Sequence, residues 1–556
     1  MTIDTPPATP APDGANAAAR GAGRVDAAPA ASTPPSLTAR RVLLVAGIAL
    51  LFAAIVIASV ILLPPIATGA ALLGLSLVIL LRRILFTWPA LLFLLAATIM
   101  FIPARRYALP IPLPFALEAY RLMIFVAIIA VGLAFLFDRQ RRWRPIAFGW
   151  PLGIFLATLL VSFIANGTRL VEEGLATTSL SGFFQLGVLL SVFVSVRQML
   201  TSERMVTGFL MLLAWSATIV AFFAIIERVA RTNVFLMLAN FLPLVVLRED
   251  GGDATRAGVN RAYGSAQHPI ALAVMLCMII PLLIYLAKYA IWPRNIWNRR
   301  IAYGLATVIV FGGIVAAISR TAVVVMGVMF LIALLLRPKI AGIIVAFAVP
   351  MLLLAMFVVP AQVDSMLLSF FDVDTLIASQ YTSAGMRGAG RLADLEPAMA
   401  EVQQAPFFGQ GFGSRIVVGD DANSFILDNQ VLSVLMEAGA LGVAGYAVFM
   451  LAPVVMLLVF AFRDAAEVRH ASLALTIATS LAGYSAALFF FDAFGFFQSF
   501  LVHMMLLAVG AWVLTETPRR PRGAGLAAEV DAAPAGPEGA RLDAPVAGSA
   551  TAEGTP

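Results

Sequence analysis

Apolar runs fill most of this chain. They are about 15–22 residues long and lie near 42–63, 66–81, 84–102, 122–137, 146–165, 180–197, 205–226, 267–288, 301–318, 322–336, 340–359, 441–462, 471–490 and 495–514. A helix of that length is close to what a hydrocarbon layer of about 30 Å requires. The pattern predicts an all-α polytopic membrane protein with about 12–14 transmembrane helices. One long stretch breaks it. Residues 360–440 carry Asp364, Asp372, Asp374, Arg387, Arg391, Asp394, Glu396, Glu401, Arg415, Asp420, Asp421, Asp428 and Glu437. A charge at bilayer depth costs a few kcal/mol or more, so this stretch is expected as one large loop domain outside the hydrocarbon. The chain then divides into a tail at 1–36, eleven helices over 40–359, the loop at 360–440, three helices over 441–515 and a tail at 517–556. Both tails are rich in Ala, Pro and Gly and read as disordered.

Finer periodicity divides the loop. Residues 387–404 read as amphipathic, with Leu392, Leu395, Met399 and Val402 on one face and Pro397 disturbing the start. Residues 405–413, APFFGQGFG, read as a loop. Residues 427–446 read as a helix that opens at Asp428, a good capping residue, and places Glu437 on the opposite side from it. Glu437 is then either a packing carboxylate at the membrane boundary or part of the chemistry.

Basic residues assign the two sides. With the N-terminus in the cytoplasm and strict alternation, 24 of the 37 Lys and Arg residues fall inside, including both lysines. Both tails are then cytoplasmic and 360–440 is external. The outward cations are all arginine, among them Arg105, Arg121, Arg261, Arg320, Arg387, Arg391 and Arg415. A guanidinium grips phosphate oxygens in pairs, as an ammonium cannot, so this side suits an anionic ligand.

Composition narrows the class further. The chain is 61% hydrophobic and only 12% charged, whereas soluble domains carry about 25% charge. The net charge of +6 is spread over short loops, which is not a nucleic-acid footprint. A lone Cys277 excludes an intramolecular disulfide. No Walker loop, dinucleotide turn or HExxH helix occurs, and His268, His470 and His503 lie far apart, so neither a cofactor nor a metal site is expected. His268, beside Pro269 at the outer end of a span, reads as a helix-start residue or a ligand contact. Asp492, between the last two spans, is a candidate for acceptor contact.

The order Arg391, Pro406, Gly409, Gly411, Gly413, Asp428, Asn429, Leu432, Leu435, Glu437, Gly439, Gly442 resembles the O-antigen ligase and polysaccharide polymerase superfamily. SRTAVVV (319–325), RAYGSAQHPIALAVML (261–276), RRYALPIPLPFALEAYR (105–121) and FDAFGFFQ (491–498) resemble further parts of it. The resemblance covers roughly 40–515 and implies a GT-C-like bundle. It implies an enzyme of the plasma (inner) membrane that passes a glycan from a polyprenyl-diphosphate carrier to an acceptor hydroxyl, with inversion and without metal. The partners implied are the lipid-linked donor, a glycan, lipid or cell-wall acceptor, and membrane lipids. Arg261, Arg320 and Arg387 are then expected on the diphosphate, Arg391 and Asp428 in catalysis, and Asn429, His268, Glu437 and Asp492 as acceptor contacts or supports. Asp428 stands where many members have His, and a carboxylate serves as well for general base. Two other classes fit a multi-span chain: a flippase of lipid-linked glycans and a non-catalytic envelope assembly protein. A flippase should carry ionisable groups along its spans, whereas here the polar mass is gathered in one loop.

Overall fold

The computed structural model describes residues 87–111, 116–247, 255–256, 259–358, 395–416, 422–424 and 428–520, with isolated positions elsewhere. The chain forms two compact units, Met1–Leu75 and Ser76–Pro556. The first contributes only scattered helical positions between 46 and 69, and all that follows concerns the second. The apolar runs at 42–63 and 66–81, both tails apart from 517–520, and most of 360–394 lie outside the described residues.

Helices dominate: α1 (Trp88–Phe101), α2 (Ala119–Phe137), α3 (Gly149–Ala165), α4 (Gly167–Glu172), α5 (Ala176–Met199), α6 (Glu203–Ala230), α7 (Pro269–Tyr289), α8 (Ile296–Ala316), α9 (Arg320–Leu336), α10 (Pro338–Val358), α11 (Leu395–Gln404), α12 (Gln430–Val459), α13 (Val468–Ala487) and α14 (Phe497–Glu516). Among the described residues, eight are long and apolar enough to cross a membrane, and α1, α3 and α9 are shorter apolar helices. The protein is an all-α polytopic membrane protein.

The bundle is built around α14, which is buried along its whole apolar length and packs on α5, α13 and α7. α7 is nearly as enclosed, between α8, α13, α6 and α9. α10 is the opposite case: it packs on α9 and leaves Leu353, Leu354 and Phe357 uncovered. Acyl chains are the solvent that such a face fits, because its backbone bonds are all met within the helix.

Contacts sort the loops into two ends. At one end, Ser265 Oγ donates to Met100 O (2.5 Å) and accepts from Gln498 Nε2 (2.9 Å), while Ala262 N donates to Ala316 O (3.1 Å). A two-stranded ribbon, β1 (Tyr107–Ala108) against β2 (Val245–Val246), joins the α1–α2 loop to the segment before α7 at the same end. At the other end, the buried Arg197 guanidinium meets Glu516 (2.9 Å), Thr515 (2.7 Å) and Pro145 O (3.1 Å), and Arg144 reaches Glu516 as well (3.0 Å). Arg299 closes α7 there by donating to the carbonyls of Ala287, Lys288 and Ala290. This far end collects the loops that sequence reading assigns to the basic side.

Three sequence readings need correction. α12 begins at Gln430, eleven residues before the expected span, and its cap is Asn429, not Asp428: Leu432 N donates to Asn429 Oδ1 at 3.1 Å. Within its described residues α11 buries Ala398 and Val402 while Leu395 and Met399 stay exposed, and the expected start at 387–394 lies outside the described residues. Ala398 and Val402 pack on Met436, flanked by Leu432 and Leu435, so the small residue sets the contact face rather than the larger ones. α13 begins at Val468, three residues before the expected span, so His470 is a buried residue of the helix.

Candidate active site

The glycine-rich loop and the polar start of α12 form one unit. Within α12, Gly439 adopts φ 66° and ψ −168°, which interrupts the helical ladder. Main-chain groups thereby lose partners, and the loop supplies them. Gln410 N donates to Met436 O and Gly411 N to Glu437 O, both at 2.9 Å. In return Ala440 N donates to Pro406 O (2.9 Å) and Leu441 N to Phe407 O (3.2 Å). Four crossed hydrogen bonds therefore splice loop to helix. The backbones approach so closely that a Cβ on Gly409 would overlap the Glu437–Ala438 peptide, and one on Gly439 would overlap Phe407. Gly409 also has φ 65°, so both positions demand glycine for conformation and for space.

Neighbouring helices hold the splice. Ser162 Oγ of α3 lies 2.7 Å from Phe408 O and 2.9 Å from Glu437 O. Ser179 of α5 bonds the Phe412 carbonyl, and Arg169 of α4 reaches Gln410 Oε1 (3.3 Å). The Glu437 side chain points back to the loop and accepts from Gly413 N at 3.1 Å. Glu437 is thus a support of the loop, with its carbonyl and its carboxylate both engaged.

The start of α12 lies against the α13–α14 loop. Gln430 N donates to Leu488 O (2.9 Å), and Phe494 N donates to Gln430 Oε1 (2.9 Å). That loop carries Asp492, whose Oδ1 accepts from Gly495 N (3.0 Å) and Phe494 N (3.1 Å). Burial pushes the Asp492 carboxyl above the ordinary carboxylate range, against the opposing pull of those two bonds and of Arg105 and Arg415. Arg415 itself bonds Ser424 Oγ (2.7 Å) and Ser433 Oγ (3.3 Å) and acts electrostatically on both Asp492 and Glu437.

The sequence-derived candidates are distributed as follows. Asp428 and Asn429 immediately precede α12, half-buried. His268 caps α7, its Nδ1 accepting from Ile270 N (3.2 Å), and its ring stacks on Phe496 of the α13–α14 loop (5.2 Å). Arg261 is buried, with Nε donating to Ala317 O (3.0 Å), and Arg320 opens α9 three residues further on, so these two meet at the α8–α9 turn. Arg387 and Arg391 lie outside the described residues. Sequence reading left Arg415 and Arg105 out of the site. Arg415 stands two residues after Gly413, and that adjacency was the available signal.

Residues 305–447 match a family model described as O-antigen ligase. This stretch, about a quarter of the chain, is similar to the O-antigen ligases. The matched stretch runs from within α8 to just past the Gly439 kink, so both halves of the splice fall inside it. It also contains Arg320, Arg387, Arg391, Arg415 and Asp428. The α1–α2 loop, Arg261, His268 and the α13–α14 loop lie beyond it. No curated protein matches the chain. The match supports a ligase or polymerase role in cell-surface polysaccharide synthesis, and the apolar helices fit a multi-pass membrane protein.

Proposed function

We propose that the protein transfers a glycan from a polyprenyl-diphosphate carrier to an acceptor hydroxyl at the external face of the membrane. The observation that carries this reading is the splice: it fixes the polar start of α12, with Asp428, beside a glycine loop and Arg415 at the membrane boundary, within the O-antigen ligase-like segment. In the proposed step Asp428 takes the acceptor's hydroxyl proton as that oxygen bonds to the anomeric carbon. The bond from that carbon to the diphosphate oxygen breaks on the opposite face, which inverts the centre, and polyprenyl diphosphate departs. Negative charge grows on the departing oxygens, and fixed guanidinium groups aimed there lower the barrier. Arg261, Arg320, Arg387 and Arg391 take that role, so the proposal calls for no metal. Transfer by the purified protein from a defined polyprenyl-diphosphate glycan, with the product resolved by mass, tests it; a protein that moves the intact lipid-linked glycan between leaflets without transferring it would be a flippase instead.

Two predictions arise here. In Arg320→Lys a point charge replaces a two-pronged donor, and turnover should fall by about 10²-fold with the fold intact; unchanged turnover would remove Arg320 from the diphosphate site. For orientation, Cys277 is buried, so introduced cysteines can be read against a silent background. Gln404 at the site end and Asn298 at the far end are both exposed. Gln404→Cys should react with an impermeant maleimide on intact cells and Asn298→Cys should not; the reverse pattern would invert the topology.

A further inference from the structure

The connection between α6 and α7 carries an apolar face that the candidate site does not use. α6 ends at Ala230 and α7 begins at Pro269, and the segment between them leaves and rejoins the bundle at the site end. From Thr232 to Leu247 the sequence TNVFLMLANFLPLVVL has no ionisable residue, and Arg231 and Arg248 bracket it. Its first half is a 3-10 helix, Val234–Asn240, capped by Asn233 Oδ1, which accepts from Phe235 N (2.8 Å). Three further bonds pin the segment. Asn233 Nδ2 donates to Gly264 O (2.8 Å), the Tyr107 hydroxyl to Phe235 O (3.0 Å), and Leu247 N to Arg106 O (2.8 Å). The α1–α2 loop that receives the last two is itself fixed, because the Glu118 carboxylate bonds the Arg105 N–H. A segment held in this way still turns Met237, Phe241, Leu242, Val245, Val246 and Leu247 outward, with Phe241 80% exposed. Such a patch on a fixed backbone marks an interaction surface.

We propose that residues 234–247 form an interfacial foot that lies in the leaflet at the site end, with phospholipid as its partner. Length excludes a crossing: the 16 residues between the arginines, Pro243 among them, fall short of the roughly 20 helical residues that a span needs. The backbone bonding fits hydrocarbon. Phe241 N and Leu242 N donate to Leu238 O, Leu244 N to Leu242 O and Leu247 N to Arg106 O, while Pro243 has no N–H to satisfy. Water would not require this economy of donors, but lipid leaves them no other partner. The exposed face also continues a lipid-facing one. α6 is long and apolar enough to cross the membrane, and its exposed Ile219, Phe222 and Val229 form one stripe of the helix. That stripe reaches the last turn of α6, and the foot begins just after it. Arg231 and Arg248, at the two ends of the apolar run, suit the phosphates of headgroups on either side of an interfacial segment. A protein partner fits less well, because its surface brings polar groups that this face has few side chains to meet. The foot holds the α6–α7 connection, which carries Arg261 and His268 further along, at a fixed depth. The proposal is independent of the transfer reading.

Spin labels on the full-length protein test it. Cys277 is buried, so Phe241→Cys, Val245→Cys and, as a far-end reference, Asn298→Cys each carry a single nitroxide at an exposed position. The protein is reconstituted in vesicles of phosphatidylethanolamine and phosphatidylglycerol. Collisions are read with oxygen, which concentrates in hydrocarbon, and with a neutral nickel chelate, which stays in water. At Phe241→Cys and Val245→Cys the oxygen-to-nickel ratio should exceed that at Asn298→Cys several-fold. Adding Met237→Glu and Leu242→Glu to Val245→Cys should bring its ratio down to the reference, with the melting temperature in detergent unchanged because both side chains face outward. Nickel access at Phe241→Cys equal to that at Asn298→Cys would place the segment in water. A label that neither reagent reaches would place protein over it, and dipolar broadening between labels would identify that protein as a second copy. An unchanged ratio in the Glu variant would show that these side chains do not seat the segment. Each of these results would overturn the foot.

Discussion

Gly439→Ala is expected to unfold the site while leaving most of the bundle in place. The φ of 66° with ψ of −168° belongs to a region that is essentially glycine-only, and strain of this kind costs about 1–3 kcal/mol before any contact is counted. The added Cβ would also meet the carbonyl of Phe407, which is backbone and cannot rotate aside. Relieving that overlap separates loop from helix and forfeits the four crossed bonds. The expected result is a loss of detectable transfer together with new proteolytic sensitivity over 405–416, with helical circular dichroism largely retained. Gly409→Ala approaches the same junction from the other strand and should reproduce this outcome. A Gly439→Ala protein with parental activity and a protected loop would show that the splice is not needed.

Asp428→Asn is expected to lower kcat by about 10²–10⁴-fold, the usual range for losing a general base. The structure makes this substitution clean. Because Asn429 caps α12, Asp428 can lose its charge without releasing the helix start. The complementary control is Asn429→Ala, which should cost about 1 kcal/mol of stability and lower activity only in proportion to the folded fraction. Asp428→His should recover part of the rate, since the superfamily resemblance places a histidine there. Parental turnover in Asp428→Asn would eliminate this carboxylate as the base, and Asp492 and His268 would be the next groups to titrate.

Much of the bundle was legible because lipid imposes a coarse code. A run such as 122–137 has few alternatives to a helix, and Ala119–Phe137 is one. The helix at 427–446 was legible, but its cap and its extent were not: adjacent Asp428 and Asn429 are both good caps, and Glu437 hides that the span is continuous from Gln430. The face of α11 was misjudged because Ala398 buries by close approach, which hydropathy does not register. In the site, spacing displayed Gly409, Gly411, Gly413 and Gly439 but not their pairing. Hydrogen bonds between main chains about thirty residues apart leave no residue-type signature beyond the glycines that permit them. Arg415 and Arg105 were overlooked for a related reason: their carboxyl neighbours Asp492 and Glu118 come from other loops.

The splice also constrains how the protein is made. Met436 O, Glu437 O, Ala440 N and Leu441 N find their partners on a segment that leaves the ribosome earlier. A helix released into lipid with such groups unmet would bear several kcal/mol for each. On the proposed topology, residues 405–413 must therefore already have crossed to the site end when α12 is laterally released, and α3, which contributes Ser162, must already stand beside it. Integration of α12 becomes a step dependent on translocated chain, so an early truncation or a delayed loop would strand the helix at the translocon as a substrate for membrane proteases.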